Sequence, residues 1–192
     1  GVLAAGWTWS DDGLELTVSL RPGVVLHDDR PLKASLAARI LQELVNDPEN
    51  QGLHTSFADI ANIQPNGDLD IVITLKQHSS YLPEDLSIPF GVVPSEEAKK
   101  KAGNQRIPTI GTGPYRIVRH DDTEIVLKRF GRYYGGQAVI PDVVIKTVET
   151  LRTAWAGFLR GELGMVTDLP PETVELVRSD DIEIVSFPRP YQ

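Results

Sequence analysis

The sequence predicts an α/β fold, a mixed sheet with flanking helices, because two different periodicities occur in one chain of 192 residues. Residues 14–20 alternate apolar and polar side chains, which is the two-residue period of a half-buried strand. Residues 36–45 instead place apolar side chains four and five positions apart, as one face of an amphipathic helix does. Strands and helices do not alternate strictly, so a doubly wound nucleotide-binding fold is not indicated.

Turn residues bound these first elements. The strand over residues 14–20 ends at Arg21-Pro22-Gly23, a turn sequence. The helix over residues 36–45 ends at Asp47-Pro48, because proline cannot continue a helix. Nearer the N-terminus, Trp7 and Trp9 lie on the same face of an extended segment.

A hairpin and a short helix are predicted next. Asn66-Gly67-Asp68 has the composition of a tight turn and leads into a strand over residues 69–75. Pro94 is suited to the first turn of a helix over residues 95–102, and Gly103 is suited to end it.

The second half of the chain mixes strands and helices in the same way. The sequence predicts strands over 124–130, 143–148 and 182–187, and helices over 151–160 and 170–178. Thr150 is a suitable N-cap for the helix over 151–160, and Gly161 is suited to end it.

The composition excludes some classes of function. With 27 acidic and 19 basic residues the formal net charge is −8, and no cluster of Lys and Arg offers the basic face that nucleic-acid binding needs. The chain has no cysteine, so disulfides and thiolate metal sites are excluded. No apolar stretch approaches the ~18 residues of a membrane span. The only methionine is Met165, so Gly1 indicates a processed or internal start, and the chain is expected to be part of a longer protein.

The sequence also lacks catalytic and metal-binding patterns. Its four histidines have no metal-ligand spacing, and His27-Asp28-Asp29 are adjacent in what reads as a surface turn. Gly111-Thr112-Gly113-Pro114 lacks the Lys-Ser/Thr ending of a phosphate-binding loop, and it precedes a strand rather than a helix. We therefore interpret Gly111, Gly113 and Pro114 as a structural turn that needs positive φ. No metal, cofactor or enzymatic activity is predicted.

Aromatic side chains leave two interpretations open. Trp7, Trp9 and the pair Tyr133-Tyr134 could line a ligand cleft, or they could be packed as ordinary buried aromatics.

An ordered series of segments resembles the dipeptide/oligopeptide family of extracellular solute-binding proteins, family 5. The segments are Ala4–Trp7, Ser10–Leu14, Leu20–Val24, His27–Leu32, Gly111–Tyr115, Ile125–Arg129, Tyr133–Gly136, Arg152–Ala154 and Gly161–Leu163. Each segment alone is weak, but the set in this order and spacing is specific.

Three positions depart from the family pattern. Asp29 stands where a turn glycine is usual, so that turn is expected to differ in type. Lys33 replaces a helix-capping threonine, and Ser35 is expected to cap the helix instead. Gly164 replaces an aspartate near the cleft.

The resemblance implies a periplasmic-binding-protein-like fold of type II, similar to cluster C, with this chain as one lobe of a two-lobed protein. Residues 1–108 would form a peripheral subdomain of that lobe, and residues 109–192 part of its cleft-facing α/β subdomain. Candidate ligand contacts are Glu162, Met165 and Thr167. An isolated lobe is also expected to expose an apolar face that favours self-association.

The function implied is that of the binding component of an ABC importer, which delivers peptides or similar small solutes to membrane permease subunits. The implied location is periplasmic, or extracytoplasmic and membrane-anchored. The alternative is the ligand-sensing domain of a transcriptional regulator with the same fold.

Overall fold

The computed structural model describes residues 3–87, 110–167, 169–170 and 181–186. The chain divides into two compact units, Gly1–Ile145 and Lys146–Gln192. The predicted subdomain boundary between residues 108 and 109 lies outside the described residues and stays a prediction.

A four-stranded sheet forms the first part of the larger unit. Its strands are β1 (Ala4–Trp9), β2 (Glu15–Leu20), β3 (Ile60–Asn66) and β4 (Asp70–Leu75), in the order β1-β2-β4-β3. All three neighbouring pairs are antiparallel, where the sequence predicts a mixed sheet. The predicted strands over 14–20 and 69–75 and the turn at Gly67, which has φ +68°, are confirmed.

Helices cover one face of this sheet and close the main core. They are α1 (Ala34–Val45), α2 (Pro48–Leu53), a 3-10 helix (Thr55–Asp59) and α3 (Leu82–Asp85). Alternate residues of the central strands point into the core, where they meet the apolar face of α1. The largest fully buried side chains of the core are Leu16, Phe57, Ile71, Ile73 and Leu82.

The N-terminus of α1 is stabilised by the β3–β4 turn instead of a capping side chain. Lys33 is the N-cap residue and makes no side-chain cap hydrogen bond, so the expected cap by Ser35 is wrong. The helix begins at Ala34, which places Ser35 inside the first turn. The Ala34 N–H donates to the Asp68 carbonyl at 2.8 Å, and the Lys33 ammonium lies 3.2 Å from the Asp68 carboxylate.

An aspartate occupies a left-handed turn position. Asp29 has φ +67°, a region that favours glycine and that aspartate tolerates better than most residues. Its carboxylate lies 3.0 Å from the Arg132 guanidinium. The turn therefore keeps a glycine-like conformation although the glycine has been replaced.

A three-stranded sheet completes the larger unit. Its strands are β5 (Tyr115–His120), β6 (Glu124–Arg129) and β7 (Asp142–Lys146), in that order. The antiparallel β5–β6 pair has a bulge between Ile117 and Arg119. The strands predicted over 124–130 and 143–148, and the strand expected after Pro114, are confirmed.

The smaller unit contains helix α4 (Leu151–Leu159), which confirms the predicted helix and ends one residue earlier than predicted. The Thr153 N–H donates to the Thr150 hydroxyl oxygen at 3.1 Å, and Gly161 ends the helix with φ +72°. The predicted strand over 182–187 is wrong for residues 182–186, which pair with no strand among the described residues. The predicted helix over 95–102 and residues 171–178 of the last predicted helix lie outside the described residues.

Candidate functional site

The three candidate ligand contacts follow helix α4 in the smaller unit. Glu162 is exposed and pairs with Arg160 through two hydrogen bonds, Nε to Oε1 at 2.8 Å and Nη2 to Oε2 at 2.9 Å. This pairing lowers the pKa of Glu162 and raises that of Arg160. Met165 is 75 % exposed, and Thr167 is also exposed. The structure thus places these residues on one accessible segment, and their role in binding stays a prediction.

The end of α4 positions this segment. The Glu162 and Leu163 N–H groups both donate to the Gly157 carbonyl, at 2.9 and 3.4 Å, so the chain folds back over the last helical turn. A side chain at Gly157 would meet Leu163 Cδ1 at 3.3 Å, closer than an ordinary van der Waals contact. The small residue inside the helix therefore lets the following segment approach closely.

The glycine-rich turn does not have the backbone conformation that the sequence indicates. Neither Gly111 nor Gly113 has positive φ, whereas Gly136 has φ +98°. No atom lies within 4 Å of the place where a Cβ of Gly113 would stand. The expectation that this turn needs positive φ is therefore wrong. At Gly111 it is a close neighbouring side chain, and not the backbone conformation, that disfavours a larger residue.

That neighbour is the half-buried ring of His27. The Gly111 N–H donates to His27 Nδ1 at 3.0 Å, and His27 Nε2 lies 3.0 Å from the Gly113 carbonyl oxygen. The His27 N–H donates to the Gly111 carbonyl at 2.8 Å. His27, which reads as part of a surface turn in the sequence, instead joins two segments that are 84 residues apart. Each segment carries a motif, but neither motif signals that the two meet.

The buried ring of Phe130 adds an aromatic contact to this junction. Its ring meets the His27 ring edge-on, with centroids 5.1 Å apart, and it is 4 % exposed. The Phe130 N–H donates to the Pro114 carbonyl at 2.7 Å. Both ends of the turn at residues 111–114 are thus fixed, one by His27 and one by Phe130.

The aromatic residues for which two interpretations were open are mostly packed. Trp9 and Tyr134 are partly buried against the main core. The Trp9 ring also lies beside the His78 ring, with centroids 5.5 Å apart. Tyr133 and Tyr134 have ring centroids 4.6 Å apart. Trp7 remains 50 % exposed. Packing is therefore the better interpretation for Trp9 and Tyr134, and Trp7 alone keeps a largely accessible ring among these four.

We expect Gly111→Ala to destabilise the protein more than Gly113→Ala. A Cβ at residue 111 would stand 3.1 Å from His27 Cε1, and the ring cannot move away without losing its hydrogen bonds. Overpacking of this kind costs about 1–3 kcal/mol of unfolding free energy. Gly113→Ala, with open space and no positive φ, should stay within about 0.5 kcal/mol. Urea unfolding measures both variants, and equal losses would contradict the close-approach explanation.

We expect one tyrosine to ionise late in an alkaline titration. Burial, with a smaller contribution from the Tyr133 hydroxyl, raises the pKa of Tyr134 from 10.0 to about 12. Because the neutral phenol is favoured in the folded state, this stabilisation is complete below pH 10 and is lost as the pH rises through about 12. Tyrosinate absorbance, recorded while circular dichroism confirms the fold, should show the late step, and Tyr134→Phe should remove it. A late step that persists in Tyr134→Phe would contradict the assignment.

Among the residues that the structure describes, no three His, Asp or Glu side chains are grouped so that they could hold a metal ion. No helix in those same ranges is long and apolar enough to cross a bilayer.

The fold, with its two antiparallel sheets and flanking helices, is that of a periplasmic binding protein. The chain matches the family model of the bacterial extracellular solute-binding proteins, family 5 Middle, over residues 1–191. The chain therefore belongs to this family, which confirms the resemblance seen in its motifs. A family of solute-binding proteins also agrees with the prediction that the chain is not an enzyme.

Curated relatives include the glutathione-binding protein GsiB of Salmonella paratyphi A, which is 29 % identical over 191 residues. GsiB of Escherichia coli O1:K1 is 29 % identical over 192 residues. Each match covers 97 % of this chain but 37 % of the relative. The chain thus spans little more than a third of the length of these relatives.

Solved structures show the same fold. The periplasmic binding protein DppA of Helicobacter pylori, in complex with the peptide STSA, has a TM-score of 0.74 at 23 % identity and is matched over 91 % of this chain and 39 % of its own. A dipeptide binding protein of Pseudoalteromonas sp. SM9913, in complex with Met-Leu, has a TM-score of 0.70 at 24 % identity, over 83 % of this chain and 36 % of its own. These coverages agree with one lobe of a two-lobed fold.

Proposed function

We propose that the chain is part of the substrate-binding component of an ABC importer, which binds peptides or similar small solutes and delivers them to membrane permease subunits. The match to the solute-binding family over residues 1–191 carries this proposal. No observation favours the alternative, a ligand-sensing domain of a transcriptional regulator.

The curated relatives and two of the solved neighbours support peptides as one solute class, whereas other solved neighbours hold Ni(L-His), mannopinic acid, agropinic acid or Fe(III)-EDTA. GsiB is a glutathione-binding protein, and two of the solved neighbours hold the peptides STSA and Met-Leu. Glutathione is itself a peptide-like solute with charged ends. A cleft that bonds the main chain of an extended peptide accepts many side chains, because the recognised groups are common to all peptides.

The proposed contacts on this chain are Glu162, Met165 and Thr167. Met165 offers a flexible apolar surface, and Thr167 offers a hydroxyl group that can donate and accept. Glu162 and Arg160 present opposite charges 2.8 Å apart, so a charged solute end would have to exchange with an existing ion pair. We also propose, from the resemblance to the family, that residues 1–108 form a peripheral subdomain of the lobe and residues 109–192 part of its cleft-facing subdomain.

The family is one of extracellular solute-binding proteins. We propose the finer location, periplasmic or extracytoplasmic and membrane-anchored, because an importer takes up solute outside the cytoplasmic membrane. Cell fractionation of the host with an antibody against this chain would test it.

The full-length protein that contains this chain tests the function. Native mass spectrometry of protein purified from its host should show a small co-purified solute. Calorimetry after removal of that solute should show binding of a peptide probe such as Met-Leu or reduced glutathione. Protein that carries no solute and binds neither probe would contradict the proposal, and a DNA-binding region in the same chain would favour the regulator.

A further inference from the structure

Two hydrogen bonds to the His27 ring define which of its nitrogens carries the hydrogen. The Gly111 backbone can only donate through its N–H, so His27 Nδ1, 3.0 Å away, must be the acceptor. The Gly113 carbonyl oxygen can only accept, so His27 Nε2, also 3.0 Å away, must carry the hydrogen. Both contacts are satisfied together only by the neutral ring with its hydrogen on Nε2.

The ring also lies close to the place that a Cβ at residue 111 would occupy. A side chain at Gly111 would begin 3.1 Å from His27 Cε1. The Phe130 ring also meets the His27 ring, with centroids 5.1 Å apart, and the Phe130 backbone N–H donates to the Pro114 carbonyl. His27 is therefore held by polar contacts on both nitrogens and by packing against an aromatic edge.

The segment that His27 holds leads directly into a strand. Residues 111–114 end where β5 begins at Tyr115, and β5 pairs with β6 through five described residue pairs. Any shift of Gly111 or Gly113 would be passed to β5, since only one residue, Pro114, separates Gly113 from the strand. The charged groups near His27 on its own segment, Asp28 and Asp29, bond to Arg30 and Arg132 and not to the ring.

We infer that His27 is a positioning residue that acts through its neutral Nε2–H form. It bonds the turn at residues 111–114 and thereby sets the position of β5, at the start of the part proposed to face the solute. The link to solute binding rests on the proposed function, whereas the link to the turn does not.

Nuclear magnetic resonance of this chain with ¹⁵N-labelled histidine tests the ring state without any substitution. We expect the His27 resonances to show the Nε2–H tautomer and a coupling across the hydrogen bond between Gly111 N and His27 Nδ1. A hydrogen on Nδ1, or a ring that averages between tautomers, would overturn the inference.

Matched substitutions test the positioning role. Gln offers one acceptor and one donor, as the neutral ring does, whereas Leu fills similar space with neither. In His27→Leu, amide exchange at Gly111 should accelerate about 10- to 100-fold, as expected when a partly buried donor loses its partner. His27→Gln should restore most of the protection, and the amides of Ile71 and Ile73 in β4 should be unchanged in both. Protection in His27→Leu equal to that of the parent would mean that packing alone is sufficient.

Solute binding by the full-length protein separates this inference from the proposed function. With Met-Leu and reduced glutathione as probes, His27→Leu should weaken the affinity about tenfold or more, and His27→Gln by less, which corresponds to about 1.4 kcal/mol per tenfold change. Unchanged affinity in a His27→Leu protein with altered exchange would overturn the link to binding. If the parent binds neither probe, the proposed function fails, while the tautomer and exchange results still decide the role of His27.

Discussion

Phe57→Ala is expected to lower the free energy of unfolding by about 3–5 kcal/mol, because it removes a large buried ring and leaves a cavity. Phe57 is 2 % exposed and lies in the 3-10 helix between α2 and β3, where it packs into the main core. The elements around it cannot collapse freely into the space. Ser56 Oγ donates to Asp85 Oδ2 at 2.5 Å, which holds the 3-10 helix against α3.

Tyr81→Ala is the matched control for this loss. It also removes an aromatic ring beside α3, but Tyr81 is 71 % exposed, so its ring has little packing to lose. A surface change of this kind stays within about 0.5 kcal/mol. Urea unfolding of the two variants at one temperature measures the difference. Similar losses for both would contradict the position of the main core described above.

The second prediction with a large effect concerns the affinity of this chain alone for its solute. A small-solute site normally encloses most of its ligand, and this chain spans 37 % of the length of its glutathione-binding relatives. If the chain supplies about half of the contacts, a full-length protein that binds at −8 kcal/mol, or about micromolar, would leave this chain with about −4 kcal/mol, or about millimolar. We therefore expect an affinity roughly a thousandfold weaker for the 192-residue chain alone.

Calorimetry of both proteins with the solute recovered from the full-length protein measures this ratio. Exposed apolar side chains of the small sheet, such as Val118, Val144 and Ile145, make self-association of the isolated chain an expected complication. Sedimentation should therefore establish the monomeric concentration range first. Micromolar binding by the monomeric chain would show a self-contained site, and Glu162→Gln, Met165→Ala and Thr167→Val would then be the first variants to test.

Comparison of β3 with its neighbours shows why some strands were predicted and others were not. Residues of β2 and β4 alternate between core and solvent, so their period is visible in the sequence. In β3 only Ile60 and Ile63 are buried, and Pro65 lies inside the strand, so neither period nor composition indicates a strand. The proline is tolerated because β3 is at the edge of the sheet, where one side of the strand has no ladder to complete.

At the candidate site, too, some features could be predicted from the sequence and others could not. The helix before it could be predicted, because the Thr150 cap and the Gly161 end are local signals. The pairing of Glu162 with Arg160 could not, since two charged residues two positions apart meet only when the chain turns back at the helix end.

The sequence by itself determined the α/β class, the central strands, the ends of α4 and membership of a solute-binding family, because each depends on neighbouring residues or on an ordered series of motifs. Only the tertiary structure decided that His27 meets Gly111, that Gly111 is required for space instead of for positive φ, and that Asp29 holds a left-handed turn. The physical reason is distance along the chain. A contact between residues 84 positions apart imposes no period on the residues around it, so it becomes visible only when the fold brings the two segments together.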